Sequence, residues 1–375
     1  MHRLIIAAAG SGKTTFLCRF AILQDDKKTL IVTYTDENEE CIKDKLIELH
    51  GFIPQNVEVM SWFSFLLKHG VKPYQGRLYE PEVRGMILVN EKSGMRFVMR
   101  NGVPCYFSES DVQNHYFNRR NRIYSDKVSK FAVKCIDLTE GKLLTRLAGI
   151  YNQILVDEAQ DLAGYDLELI KRIMASGIPV IMVSDPRQAT YNTHYDDLYK
   201  KYRNGNLPSF CTDECESVTI DYETLATSYR NNIECVELSS ALFPDFPKPI
   251  VGNHTRDSLV GVFLICEDSA WMFLDRYCGT QLRPRKDSAG VFQGMKVMNI
   301  GRSKGREFDS VLIFPTKNML AWLLDHRKPL KDKTRAQLYV ALTRAQNRVG
   351  IFIGKDEFTR LEGSEVVEGL SIYRL

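Results

Sequence analysis

The stretch Ala7-Ala-Ala-Gly-Ser-Gly-Lys-Thr-Thr15 constrains the fold more than any other part of the chain. It sits between an apolar run, Leu4 to Ala8, and a helical pattern that starts at Lys13. Small residues let a backbone curl until its N–H groups point inward, and the following helix N-terminus adds a dipole that favours anions. Strand, loop and helix in this order read as a phosphate cradle formed by Ala8, Ala9, Gly10, Ser11, Gly12 and Thr15. Lys13 would reach the β- and γ-phosphates and Thr14 would ligate Mg²⁺. Ala7 stands where the strict pattern has its first Gly.

The rest of the chain alternates in the same way. "TLIVTY", "VEVMS", "QILVDE" and "IPVIMVSD" are strand candidates set among helical stretches such as Glu37 to His50 and "WFSFLLKHG". This β-α rhythm predicts parallel sheets covered by helices. It breaks between about Val71 and Leu138, which reads as an insertion. It resumes near Ser217 with "VGVFLIC", "MKVMNI", "SVLIFPT" and "RVGIFIG". We expect two α/β domains, 1–213 and 214–375, which 375 residues accommodate. Net charge is +3, too small to identify a polyanionic partner, so the placement of the basic residues carries that question. The nine cysteines are scattered; Cys211 and Cys215 form a C-x3-C pair with no second pair or His to complete a zinc site. No secretory leader or membrane-length apolar run is evident, and isolated thiols suit a reducing cytosol, so the expected location is cytoplasmic.

A second chemical signal is "ILVDEAQD", Ile154 to Asp161. An apolar strand delivers two carboxylates at its C-terminal end, where open α/β sheets bind ligands. Asp157 can hold Mg²⁺, and Glu158 can polarise an attacking water as general base.

With these residues in view, the sequence resembles superfamily 1 helicases of the UvrD/Rep type. "AAAGSGKTT", "IVTYTDENEECIKDKL", "VMSWFSFLLKHG", "ILVDEAQD", "VSDPRQATY", "LATSYRNN", "GRSKGREFDSVLIF" and "LYVALTRAQNRVGIFI" match its motif series in order. The matches span nearly the whole chain. The resemblance implies two RecA-like domains with ATP in the cleft between them and reduced accessory insertions. It also gives roles to matched positions. Gln188 senses the γ-phosphate, Tyr229 stacks on adenine, Arg230 and Arg344 reach the γ-phosphate, and Glu307 contacts the ribose.

Relatives of this type bind single-stranded DNA, or duplex DNA with a tail, using stacked aromatics. Tyr34, Trp62 and Phe63 are the candidates here, with Phe63 where a His is usual. Basic clusters add Arg119, Arg120, Arg122, Lys127 and Lys130 in the insertion, and Arg283, Arg285, Lys286, Lys296, Arg302, Lys304 and Arg306 further on. The sequence also departs from the family. Thr193 stands where a base-stacking Trp is usual, leaving His194 or Tyr195 as substitutes. Asn299 and Gly301 replace a Thr-x-His, and about seventy residues between Arg230 and Lys304 leave no room for a large second-domain insertion.

The leading expectation is a DNA-dependent ATPase that translocates or remodels DNA, 3′ to 5′ by the resemblance. An alternative is a nucleic-acid-sensing ATPase switch for a partner nuclease. Compact UvrD-like chains resemble helicase-like subunits of bacterial anti-phage defence systems, including the Gabija type. A P-loop small-molecule kinase would leave Gln188, "SYR" and "ALTRA" without roles.

Overall fold

The structure, a computed structural model, describes residues 2–189, 197–252, 259–288, 290–361 and 371–372. Two six-stranded sheets organise it. The first has the order Val218–Asp221, His2–Ile6, Val180–Ser184, Gln153–Val156, Thr29–Thr33, Val57–Ser61. Registered pairs such as Thr29↔Val57 and Thr29↔Gln153 are parallel. The second has the order Val297–Asn299, Thr280–Arg283, Phe308–Ile313, Ala345–Ile353, Gly261–Cys266, Ser371–Ile372, again with parallel registers. The expected α/β class of RecA-like parallel sheets is therefore met. Thr29–Thr33, Val180–Ser184 and Gly261–Cys266 are buried at every position. Continuous burial is what both-face coverage by helices demands, and it explains why these strands read as unbroken apolar runs.

The chain divides into two compact units. The first comprises Met1–Ile5, Lys13–Ser184 and Tyr191–Asp221; the second comprises Ile6–Gly12, Asp185–Thr190 and Tyr222–Leu375. Two short segments embedded in the N-terminal half thus pack with the C-terminal unit.

Local sequence rules account for many element ends. The helix Asp36–His50 starts at Thr35, whose hydroxyl accepts from the Asn38 N–H, and its first turn carries Asp36, Glu37 and Glu39. It stops at Gly51, whose φ of 92° lets its N–H close on Ile47 O. The stretch expected as one helix from Trp62 to Gly70 is instead a short helix, Trp62–Phe65, that widens into a π-turn over Leu66–Val71. A Cβ at Gly70 would lie 2.8 Å from the Ala132 Cβ, so close packing on a neighbouring helix requires glycine there.

That neighbouring helix, Val128–Leu138, falls inside the segment read as an insertion. Phe131, Ala132, Val133, Cys135 and Ile136 are all buried, and the helix packs against Leu66–Val71 and Tyr165–Ala175. The inserted character is confined to residues before it. Its apolar face has ordinary helical spacing, which the polar residues just upstream obscure.

Two sequence expectations are corrected by burial. Trp62, read as a DNA-stacking aromatic, is 1% exposed, and its Nε1 donates to Asp166 Oδ1 at 2.7 Å. Asp166 also accepts from the Ser129 hydroxyl. An indole occupies the core only where its N–H finds an acceptor, and here a carboxylate 104 residues away supplies one. Lys127 and Lys130 do not belong to a free basic cluster. Lys127 is 2% exposed and donates to Ser93 O and His115 O, while Lys130 pairs with Glu109 at 3.0 Å. Arg119, Arg120 and Arg122 are exposed, as expected.

Two stability tests follow. Trp62→Phe should cost about 2–4 kcal/mol in urea unfolding, because it removes buried volume and strips a donor from Asp166, while nucleic-acid affinity stays within twofold. Lost affinity without lost stability would restore a stacking role. The second concerns His69, buried between Phe65 and Tyr151, with Tyr151 Oη 3.2 Å from its Nε2. Burial, and then the charges of Lys68 and Arg146, push its pKa from 6.5 down to about 4, against an opposing pull from Glu58. A lowered basic pKa means that the unfolded chain takes the proton first, so stability is complete above pH 6.5 and falls as pH drops toward 4. At about 1.4 kcal/mol per pKa unit the loss is on the order of 3 kcal/mol. His69→Gln should flatten that slope; an unaltered slope would mean that His69 is protonated in place.

Candidate functional site

In the first unit, four polar side chains meet beyond the C-terminal ends of parallel strands. Asp157 follows the strand Gln153–Val156, and its N–H is bonded to Val32 O at 2.8 Å. Its Oδ2 accepts from the Thr14 hydroxyl at 3.2 Å, and its Oδ1 accepts from the Glu158 N–H at 2.9 Å. Glu158 has φ 53° and ψ 39°, a left-handed conformation that costs a non-glycine residue of order 1 kcal/mol or more. Glu158 Oε1 lies 4.0 Å from Lys13 Nζ, and Oε2 accepts from the Gln160 amide. Burial and the neighbouring Glu158 charge push the Asp157 carboxyl up from 3.8 to about 6, despite opposing pulls from Lys13, the Glu158 N–H and Thr14.

In the second unit, the loop Ile6–Gly12 is held by its backbone. Ala8 N–H donates to Leu225 O at 2.9 Å, and Tyr229 N–H donates to Gly10 O at 2.9 Å. The Ser228 hydroxyl donates to Ala9 O at 2.7 Å, and Arg187 Nη2 donates to Ala7 O at 2.8 Å. A Cβ at Gly10 would lie 2.3 Å from the Arg230 Cβ, and its φ is +72°, so both space and conformation demand glycine. Gly12 is left-handed as well, with φ 79°. Ser11 Oγ is buried and has no hydrogen-bond partner among the described residues. The carbonyls of Ala7, Ala9 and Gly10 are thereby engaged, and Ala8 O accepts from the Ser11 N–H at 3.3 Å.

Next to that loop lies a hydrogen-bonded set centred on Asp185, which is fully buried. Its Oδ1 accepts from Arg187 Nε at 2.7 Å, and its Oδ2 accepts from Gln188 Nε2 at 2.8 Å and from the Tyr339 hydroxyl at 3.0 Å. Gln188 Oε1 in turn accepts from Arg344 Nη2 at 3.3 Å. Sequence reasoning named Gln188 and Arg344 separately as phosphate-facing groups. The structure brings them together and buries both, at 2% and 1% exposure. Arg344 also donates to Val340 O at 3.1 Å and Arg306 O at 3.2 Å. Asp185, Arg187 and Tyr339 were not singled out, although "SDPRQ" and "LYVALTRA" contain them. Their signal is a carboxylate between two buried chains, which no local pattern displays.

Tyr229 is 63% exposed, a bare ring on the edge of the second unit. Beneath it lies Gly252, where a Cβ would sit 2.6 Å from Tyr229 Cδ1. Gly252 N–H donates to Ser228 O at 2.8 Å, so any larger residue there would displace the ring. Arg230 and Glu307, given different roles from sequence, form an ion pair; Arg230 Nη1 also donates to Thr343 O at 3.3 Å. Burial would raise the Glu307 carboxyl, but Arg230 and the Gln346 amide together hold it below its usual range.

Of the nucleic-acid candidates, Tyr34 and Phe63 are half-buried and pack edge to face, with centroids 5.7 Å apart. They follow adjacent strands whose ends pair at Thr33↔Ser61. Arg302 is exposed on the turn Ile300–Ser303, and Lys304 is half-buried just after it. Thr193, His194 and Tyr195 lie outside the described residues.

In the first unit, Thr14 and Asp157 fit a divalent ion. Buried carboxylate oxygens beside a hydroxyl suit a hard cation that takes few protein oxygens and completes its shell with phosphate and water. The glycines and the unpartnered Ser11 hydroxyl suit an anion.

Residues 104–194 match the UvrD/REP helicase N-terminal domain. The RecB subunit of the RecBCD enzyme from Borreliella burgdorferi is 39% identical over 57 residues, which is 15% of this chain and 5% of that protein. Among solved structures, the PRRSV helicase is similar at 16% identity and a TM-score of 0.43, over 94% of this chain and 52% of that one. The Arterivirus nonstructural protein 10 helicase in complex with DNA is similar at 15% identity and a TM-score of 0.46, over 96% and 62%. The chain thus spans a small part of the curated relative and under two thirds of the viral helicases. Residues 104–194 are thus similar to the N-terminal domain of UvrD/REP helicases, the family that the motif series resembles.

Proposed function

We propose that this chain is a nucleic-acid-dependent ATPase that uses hydrolysis to move along, or remodel, single-stranded DNA. One observation carries the reading: Lys13, Thr14, Asp157 and Glu158 converge at the carboxyl ends of parallel strands, with Asp157 buried and Glu158 in a strained conformation. Lys13 neutralises phosphate charge. Thr14 and Asp157 would hold Mg²⁺, whose charge would offset that of a bound phosphate chain. Glu158 orients and polarises the attacking water, with Gln160 fixing its second oxygen. In the second unit, the Gln188–Arg344 pair lies beside the loop Ile6–Gly12, where it can respond to a phosphate held there. Tyr229, set by Gly252, offers a face for the base, and the Arg230–Glu307 pair is placed next to it.

Single-stranded DNA as the activating ligand is supported by the half-buried Tyr34–Phe63 pair and by the exposed Arg302. Movement from 3′ to 5′ belongs to the same proposal by family resemblance.

The test is the ATPase rate with and without oligo(dT). Glu158→Gln should lower kcat by about 10²–10⁴-fold with the ATP KM little changed, because binding groups remain while the base is lost. Lys13→Ala should remove measurable turnover at any DNA concentration. Hydrolysis that survives Lys13→Ala would refute the site, and a rate indifferent to DNA and RNA in the wild type would refute nucleic-acid dependence.

A further inference from the structure

The segment before Val128 contains an antiparallel hairpin, Met95–Val98 paired with Pro104–Tyr106. Its root is fixed. Ser93 Oγ donates to Asp126 Oδ1 at 2.6 Å, Ser93 N–H donates to Asp126 Oδ2 at 3.0 Å, and Phe107 N–H donates to Gly94 O at 2.9 Å. Its tip is a tight turn in which Gly102 has φ +81° and Met99 N–H closes on Val103 O at 2.8 Å. Between root and tip it is bare. Met95, Phe97 and Val98 are 55%, 50% and 54% exposed, and Met99 and Val103 are exposed as well. Every residue of the first strand is exposed, so neither face is covered. A two-stranded ribbon without a covered face gains little from burial, and clustered exposed apolar side chains mark an interaction site.

Charge identifies the partner. Lys92, Arg96 and Arg100 are exposed along this hairpin, and residues 92–108 contain no acid. Of the nearby acids, Glu91 is exposed beside Lys92, Glu109 is engaged by Lys130 and the Tyr116 hydroxyl, and Asp111 caps the helix Val112–Tyr116 while feeling the Arg96 charge. Lys92, Arg96 and Arg100 have no ion pair among the described residues. Two of them lie against rings: the Arg96 guanidinium is 5.8 Å from the Phe97 centroid and 5.9 Å from that of Phe107, and Lys92 Nζ is 4.7 Å from that of Tyr106. Exposed cations in excess of acids, next to the exposed Phe97 ring and the half-buried Tyr106 and Phe107, suit a ligand that presents phosphates and aromatic faces together.

We propose that the hairpin Met95–Tyr106 is a second single-stranded nucleic-acid contact, with Phe97 as stacking platform and Arg96 and Arg100 on the phosphates. The inference rests on the nucleic-acid reading above but uses none of its residues. An aliphatic protein partner would need the apolar side chains alone and would leave the cations unmatched.

The experiment measures fluorescein-labelled oligo(dT) anisotropy on the full chain across a salt series. Phe97→Ala should weaken binding about tenfold, in line with the loss of one stacked base. Phe97→Trp should restore it, with indole fluorescence quenched by the oligonucleotide. The Arg96→Ala/Arg100→Ala double variant should reduce the salt slope by about 1.4, at about 0.7 per phosphate on a single strand. Basal ATPase and the thermal midpoint should match the wild type in all three. Wild-type affinity and salt slope in these variants, with oligo(dT) still bound, would overturn this proposal alone. So would concentration-dependent self-association that Phe97→Ala abolishes while DNA affinity holds. A wild type that binds no oligo(dT) would overturn it together with the nucleic-acid reading.

Discussion

The backbone seam along Ala7–Gly10 is the interaction on which the arrangement of the second unit turns. Hydrogen bonds from Arg187, Ser228 and Tyr229 take the loop carbonyls, and the Leu225 carbonyl takes the Ala8 N–H. Because the seam is made of main chain, it selects residues by size. Ala7, Ala8 and Ala9 are almost wholly buried, with room for a methyl group, while Gly10 has room for none. This explains why alanine serves at position 7, where the strict phosphate-loop pattern has glycine. Left-handed φ values occur at Gly10 and Gly12, and Ala7 has none. The Ala8 and Ser11 N–H groups are themselves engaged, by Leu225 O and Ala8 O, so main-chain bonds of both kinds hold the loop in place.

The same segment shows how side chains far apart in sequence become one device. Arg187 joins Ala7 to Asp185, Asp185 joins Gln188 to Tyr339, and Gln188 joins Arg344. Each buried polar atom in that path satisfies another, which is the condition for placing an arginine and a carboxylate in a core at all. The amide of Gln188 is oriented at both ends, its nitrogen by a carboxylate and its oxygen by a guanidinium. A group fixed in this way gains little by rotating.

What the sequence made legible, and what it did not, follows from the range of the interactions. Strands buried on both faces announce themselves as apolar runs, so the two parallel sheets were readable. The carboxylates Asp157 and Glu158 were readable because they end such a run. Trp62 was misread because its deciding partner, Asp166, lies 104 residues on and leaves no mark near the Trp. Lys127 and Lys130 were misread for a related reason: a count of charges cannot separate a cation consumed by Ser93, His115 and Glu109 from one facing water. Arg96 and Arg100 stand among Met, Phe and Val rather than in a cluster, so a search for basic runs passes over them. The helix Val128–Leu138 was assigned to the insertion because polar residues upstream masked the start of its periodicity.

The pair Asp157–Glu158 carries the strongest physical tension in the first unit. Burial and the adjacent carboxylate raise the Asp157 pKa to about 6, so its ionised form is less stable folded than unfolded. The sign is the reverse of the usual salt-bridged acid. No cost is present below pH 3.8, it grows between 3.8 and about 6, and it is complete above that. Glu158 adds conformational strain at φ 53°. Lys13 and the Thr14 hydroxyl relieve part of this and do not cancel it, since the shift remains upward. Ordinary selection for stability would replace such a pair with a neutral side chain. A cation bound at Asp157 reverses the balance, because the repulsion that raises the pKa becomes attraction for the ion. The pair therefore costs stability in the folded chain, and on the proposed reading a bound cation would recover it.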